Sequence, residues 1–286
     1  MRVFKFGGAS VKNAEAVKNV GQILDKFKGE KLMIVVSAMG KTTNALEVLW
    51  KAYTNGESTQ QAIVEIQDFH TEIMDGLFGG EGAEVRQEIN AIIGELRNKC
   101  ENPPSDNFNF EYDQIVSLGE IISTKIIAGF LNEKGFQAEW MDARQLVRTN
   151  NRYREAKVDW EKSNELVSEK VNSIFDSGKD LAVTQGFLGH TPEGFTTTLG
   201  REGSDFTAAI LAYIMDAQDV TIWKDVPGML NADPKYFDNT VLLEKISFRE
   251  AIELAYFGAS VIHPKTIQPL KRKGIPLYIK DRKSVV

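Results

Sequence analysis

Apolar and polar positions alternate in "RVFKF", Arg2 to Phe6, and the spacing then lengthens to three and four at Val11, Ala14, Val17, Val20, Leu24 and Phe27. A period of two predicts a strand, and the longer spacing predicts a helix. The β-branched run "LMIVVSA" brings back a strand, so strand, glycine turn, helix and strand form a βαβ unit. Such a unit predicts a mostly parallel sheet with its ligand site at the carboxyl ends of the strands.

From about Asn44 to Leu131 the pattern is mostly helical, with breaks expected at "GLFGGEG" and at the proline-bearing "ENPPSDNFNF". "QAEWMDA" reads as a short strand and "LAVTQGFLG" as a buried one. Between them "DWEKSNELVSEKVNSIFDSG" predicts a helix with Leu166, Val167, Val171, Ile174 and Phe175 on its apolar side. A second unit follows. "TTTLGREGSDFTAAILAYIMDA" passes from threonines through glycines into an apolar helix, "DVTIWKDV" is a strand, and "IPLYIKD" is the last one. The reading is a three-layer α/β protein, without internal repeats, divided somewhere near residues 180 to 200.

Composition narrows the chemistry. A chain of 286 residues with 42% hydrophobic content can bury a sizeable core, and two lobes are a reasonable expectation. The net charge of −6 argues against a general nucleic-acid surface, so a polyanionic ligand must meet a local cationic pocket. Cys100 is the only cysteine, which rules out an intramolecular disulfide and fits a reducing compartment. No run of about 18 uninterrupted apolar residues occurs, so a cytoplasmic, membrane-free protein is expected. His70, His190 and His263 are too scattered to suggest metal-ligand spacing.

Four segments carry candidate chemistry. After the first strand, Gly7 and Gly8 let backbone N–H groups approach an anion without a Cβ in the way, with Ser10 as a candidate cap for the next helix. Lys5 could reach the same phosphate as a point charge; the bland alternative is a solvent-facing lysine before an ordinary turn. Gly40-Lys41-Thr42 imitates the end of a P-loop, but Val35 stands where that motif requires glycine. What remains is a hydroxyl cluster, Ser37, Thr42 and Thr43, in which either threonine could equally cap a helix. In "LGREGSDFTAAIL", Gly200 and Gly203 flank Arg201, and Ser204 and Asp205 stand at a helix start. Asp205 is either the cap or the organiser of a lysine or Mg²⁺ against a phosphate. Lastly, "WKDVPGMLNADPKYF" makes a long loop after a strand, a usual nucleotide position, while Glu120 in "VSLGEIISTK" alone reads as a first-turn acid favouring the helix dipole.

Taken together, these segments resemble the amino acid kinase family and, within it, the aspartokinases. "KFGGAS", "SLGE", "TTTLGREGSD", "WKDVPGMLNADP" and "FGASVIHP" match five signatures in the family's order. The resemblance implies a three-layer α/β/α sandwich of the carbamate kinase-like type with a mainly parallel central sheet. Residues 1–190 would form an aspartate-binding N-terminal lobe and 191–286 an ATP-binding C-terminal lobe. The implied reaction transfers the γ-phosphoryl group of ATP to the side-chain carboxylate of L-aspartate, the first step towards lysine, threonine and methionine. Lys5, Gly7, Gly8 and Asp205 fall at the reacting centre. Thr43, Glu120, Arg201, Ser204 and Phe187 fall at the aspartate positions, and Lys5, Lys224, Asp225, Leu230, Lys235 and Ser260 at the ATP positions. ATP and Mg²⁺ are the implied cofactors, with the metal carried by ATP; a homodimer is the candidate assembly, with no nucleic-acid or membrane partner.

Several positions depart from the family pattern: Ala9 and Lys224 where threonine is usual, Glu202 for glycine, Lys235 for arginine and Ser260 for lysine. Lysine cannot reproduce a guanidinium fork and serine carries no charge, so these changes bear on ATP contact. Aspartokinases generally continue past "IPLYIKD" into ACT-type regulatory domains, so this sequence reads as a catalytic domain or a natural short form. The nearest rival reading is a kinase of the same fold acting on acetylglutamate, glutamate, carbamate or a nucleoside monophosphate. A weak amino-acid or nucleotide sensor and a purely structural module are the others.

Overall fold

Every second residue of the first strand faces a different core. In β1 (Arg2–Phe6), Phe4 and Phe6 join one hydrophobic cluster while Val3 joins the other. The same division runs through β2 (Leu32–Val36), where Leu32, Ile34 and Val36 face the first cluster and Met33 and Val35 the second. A strand buried on both faces calls for apolar residues on both, which is why β2 is a continuous apolar run; in β1 the buried Lys5 is the exception, paired with Asp205.

The computed structural model describes all residues except 227, 233–236, 238, 257–260 and 283–286. Among the described residues, β1 and β2 are joined by β3 (Ala138–Met141), β4 (Leu181–Gln185), β7 (Val220–Lys224) and β8 (Leu277–Asp281). They form one parallel sheet in the order β3-β4-β2-β1-β7-β8. β5 (Leu188–His190) and β6 (Thr196–Thr198) make a separate antiparallel pair. The sheet crosses the division expected near residue 190, because β1 pairs directly with β7.

One face is covered by α1 (Ala14–Asp25), α2 (Thr42–Thr54), α3 (Gln60–Phe78), α4 (Ala83–Cys100), α5 (Phe108–Val116) and α6 (Leu118–Glu133). The other carries α7 (Trp160–Asp176), α8 (Gly203–Ile214), α9 (Phe248–Tyr256) and α10 (Pro264–Lys273). This is the three-layer sandwich expected. Together α5 and α6 are apolar and long enough to suit a membrane span, yet most of their apolar stretch is buried within the fold.

Four local expectations are corrected. The first helix does not follow the glycines directly: a 3₁₀ turn, Gly8–Val11, intervenes, and Asn13 caps α1 by accepting from the Ala16 N–H at 2.9 Å. Ser10 is inside that turn, buried, and donates to the Trp223 carbonyl at 3.1 Å. Thr42 and Thr43 do not cap α2; Lys41 holds the cap position, and Thr42 donates its hydroxyl to the Met39 carbonyl at 2.7 Å. The expected strand "LAVTQGFLG" breaks at Phe187, whose φ of 71° lies in the left-handed region. Leu166, expected on the apolar side of α7, is half-buried, and Ser163 takes a fully buried place instead.

Candidate active site

Lys5 shares its strand face with Val3, so its side chain points to the layer where α8 packs. Asp205 lies in the first turn of that helix. Lys5 Nζ is 2.6 Å from Asp205 Oδ1, and Lys224, at the carboxyl end of the neighbouring β7, brings its Nζ within 3.3 Å of Oδ2. Burial would raise the Asp205 carboxyl, but the charges of Lys5 and Lys224 outweigh it and hold it below the ordinary range. Asp205 is therefore an anion clamped between two ammonium groups. Lys224 also donates to the Val261 carbonyl, which fixes its stem.

These three side chains border an open cleft of about 920 Å³. Thr43, Glu120 and Phe187 line it from one side, and Arg201 and Ser204 from the start of α8. Glu120 enters from the first turn of α6 and is buried; its Oε1 accepts from the Ala38 N–H at 3.4 Å, and its Oε2 has no hydrogen-bond partner. Burial pushes its carboxyl up to about 8, against the opposing pulls of the Ala38 N–H and Lys5. A buried acid oxygen without a partner in a polar cleft is placed to accept from a cationic ligand group, whose charge would favour the ionised form.

The glycines next to Lys5 differ in surroundings. A Cβ on Gly7 would meet only Lys5 Nζ, at 3.3 Å, whereas one on Gly8 would strike the Ala38 and Gly40 carbonyls at 2.8 and 3.0 Å. Gly7 keeps the approach to Lys5 open, and Gly8 permits β1 to pack on the loop after β2. At the start of α8, Glu202 takes the left-handed cap position with φ 53°. Phe187 is held in its own left-handed turn by its N–H donating to Thr207 Oγ1 at 2.9 Å.

Not every expected residue meets the cleft. Asp225 is exposed, Leu230 pairs with Leu242 in an isolated bridge, and neither lines it. Lys235 and Ser260 lie outside the described residues. The sequence reading missed the pairing of Lys224 with Asp205, having placed that lysine at the nucleotide. It also missed a whole wall of the cleft, formed by Asn107, Asn109 and Tyr112 with residues Asn151 to Glu155. Asp113, beneath that wall, was unmarked as well; burial pushes its carboxyl up to about 6 despite N–H donors from Arg154 and Thr198.

A family model described as the amino acid kinase family matches residues 1–281. The chain belongs to the amino acid kinase family. Within that family it is 35% identical over 281 residues to the lysine-sensitive aspartokinase 3 of Escherichia coli (strain K12), covering 98% of this chain and 61% of that protein. It is 33% identical over 285 residues to the chloroplastic aspartokinase 3 of Arabidopsis thaliana, covering 98% of this chain and 50% of that one. The fold superposes with a TM-score of 0.91 on the crystal structure of E. coli aspartokinase III in complex with aspartate and ADP, at 34% identity over 99% of this chain and 62% of that one. The chain thus spans between half and two thirds of the length of these relatives.

Proposed function

We propose that this amino acid kinase domain transfers the γ-phosphoryl group of ATP to the side-chain carboxylate of L-aspartate, giving 4-phospho-L-aspartate. The observation that carries this reading is one cleft with a lysine–aspartate–lysine cluster at one place and Glu120, Thr43 and Arg201 at another. The likeness to aspartokinases, one of them described with aspartate and ADP, supports the choice of acceptor.

An aspartate side chain is ionised at neutral pH, so the reaction needs alignment and charge neutralisation rather than a general base. In this reading Arg201 grips the α-carboxylate of the acceptor, Glu120 accepts from its α-ammonium, and Thr43 and Ser204 donate hydroxyls, with Phe187 as an apolar wall. Lys5 and Lys224 neutralise the β- and γ-phosphates, while Asp205 holds both ammonium groups at the reacting centre. Gly7 leaves room for a phosphate oxygen beside Lys5. Residues 1–190 supply the main acceptor wall, and 191–286 carry the nucleotide positions, Asp225, Leu230, Lys235 and Ser260 among them. Among the described residues no three acidic, thiol or imidazole groups converge on a metal position, and both Asp205 oxygens face lysines. In this reading Mg²⁺ enters bound to the ATP substrate, where it would supply further charge neutralisation. A cytoplasmic setting accompanies this reading.

The test is trapping of an acyl phosphate with hydroxylamine in the presence of ATP, Mg²⁺ and L-aspartate, with glutamate, acetylglutamate and carbamate as parallel acceptors. A hydroxamate formed preferentially with aspartate is expected. Its absence with aspartate, or a stronger signal with another acid, overturns the assignment.

A further inference from the structure

Beneath the cleft wall that the sequence did not reveal, the carboxylate of Asp113 is fully buried at 0% exposure near the end of α5. It does not touch the cleft. Its two oxygens instead accept from two separate segments that do shape it. The Arg154 N–H donates to Oδ2 at 3.0 Å and approaches Oδ1 at 3.2 Å. The Thr198 N–H donates to Oδ2 at 2.9 Å, and the Thr198 hydroxyl to Oδ1 at 2.7 Å. One carboxylate thereby fastens the loop after residue 150 to β6, the strand that leads into Gly200 and Arg201.

The fastened loop is held in a costly shape. Arg154 has a φ of 69°, a left-handed conformation that residues with a side chain rarely adopt. Such a conformation persists where surrounding bonds over-determine it. Its guanidinium is then laid over the Tyr112 ring at 4.2 Å and lines the cleft with Tyr153 and Glu155. The Arg154 carbonyl in turn lies where a Cβ on Gly200 would meet it at 3.2 Å, so the loop sets the turn that presents Arg201. Next to Asp113, Gln114 extends the same attachment: its side chain donates to the Thr196 carbonyl at 2.8 Å and accepts from the Thr196 N–H at 3.3 Å.

The geometry points to Asp113 as a positioning residue that latches the loop bearing Arg154 to β6 and so sets the wall of the acceptor site around Arg201. An ionised carboxylate suits the place because three donors converge on it and an amide would turn a donor of its own towards them. The kinetic consequence rests on the acceptor reading above; the structural one does not.

The test compares the wild type with Asp113→Asn at pH 7.5. Hydrogen exchange is expected to accelerate at least tenfold at the Arg154 and Thr198 amides, and the KM for the acceptor to rise about tenfold, with the KM for ATP within twofold. Unchanged exchange at those amides, or equal rises in both KM values, overturns the latch. If that variant does not fold, Thr198→Val, which removes one donor and leaves the backbone, is expected to raise the acceptor KM about threefold with ATP unaffected, and no rise overturns the latch. Exchange does not depend on which acid is phosphorylated, and if the wild type uses another acid than aspartate, the latch is judged on the KM of that acid.

Discussion

The ammonium of Lys5 and the carboxylate of Asp205 stand 2.6 Å apart with both side chains less than a tenth exposed, one next to the carboxyl end of the first strand and the other at the start of α8. A buried ion pair of this kind adds little net stability because both ions lose their water, but removing one partner leaves the other uncompensated. Lys5→Ala is expected to lower kcat about 10²–10³-fold, with a much smaller effect on aspartate binding. Steady-state kinetics and calorimetric titration check this, and equal losses in both would remove Lys5 from the phosphoryl end of the cleft. Asp205→Asn leaves Lys5 and Lys224 facing each other, and is expected to cost about 3 kcal/mol in a denaturant melt.

Glu120 gives a proton signal. With its pKa raised to about 8, it is mostly protonated in the empty cleft at pH 7, and an ammonium group docking against it lowers that value. Binding of aspartate at pH 7 is therefore expected to release close to one proton, read by titration calorimetry in buffers of different ionisation enthalpy. Glu120→Gln should abolish the release. In the empty protein the same shift works on stability: the folded state holds the proton more tightly, so stability falls as pH rises from about 4.5 to about 8.

Gly7 and Gly8 are expected to fail in different ways. Gly7→Ala places a methyl 3.3 Å from Lys5 Nζ and little else, so it should fold normally and weaken ATP binding. Gly8→Ala drives a methyl into two backbone carbonyls and should lose about 1–3 kcal/mol of stability. Thermal melts and ATP titrations of the two variants separate the effects.

Glu202 stands in the left-handed region with φ 53°, and its Oε2 is buried without a partner. The family signature has glycine there, which takes this conformation without strain. Glu202→Gly is expected to stabilise the domain by about 0.5–1 kcal/mol, after the extra freedom of glycine in the unfolded chain is counted. A lower melting temperature would contradict this.

His70 is fully buried on α3, its Nδ1 2.7 Å from the Ile66 carbonyl, and burial lowers its pKa from 6.5 to about 4. The unfolded chain therefore binds a proton that the folded one refuses as pH falls from 6.5 towards 4. Over that window the wild type should lose on the order of 3 kcal/mol more stability than His70→Gln. Parallel pH–stability curves for the two proteins would rule this out.

Lys5, Gly7, Arg201 and Asp205 could be marked from sequence because each lies beside a strand end or a glycine-flanked helix start, where local pattern and chemistry coincide. Lys224 was marked but assigned to the nucleotide alone, since nothing near "WKDV" announces an aspartate on another element. Asp113 and Arg154 were invisible for a related reason. An aspartate inside a helix and an arginine in a polar loop are ordinary residues until the fold brings the loop, β6 and α5 together.

By itself the sequence determined the strands of the parallel sheet and several of the helices that pack on it, through the period of their apolar positions, and which segments could bring donors and charges to a phosphate. Only the tertiary structure decided which charges meet. Local pattern depends on neighbours along the chain, whereas the Lys5–Asp205–Lys224 cluster and the Asp113 latch depend on strand order and on the layer against which each face packs. Parallel pairing of β1 with β7 aligns their carboxyl ends, and that alignment joins three side chains from distant parts of the chain into one site.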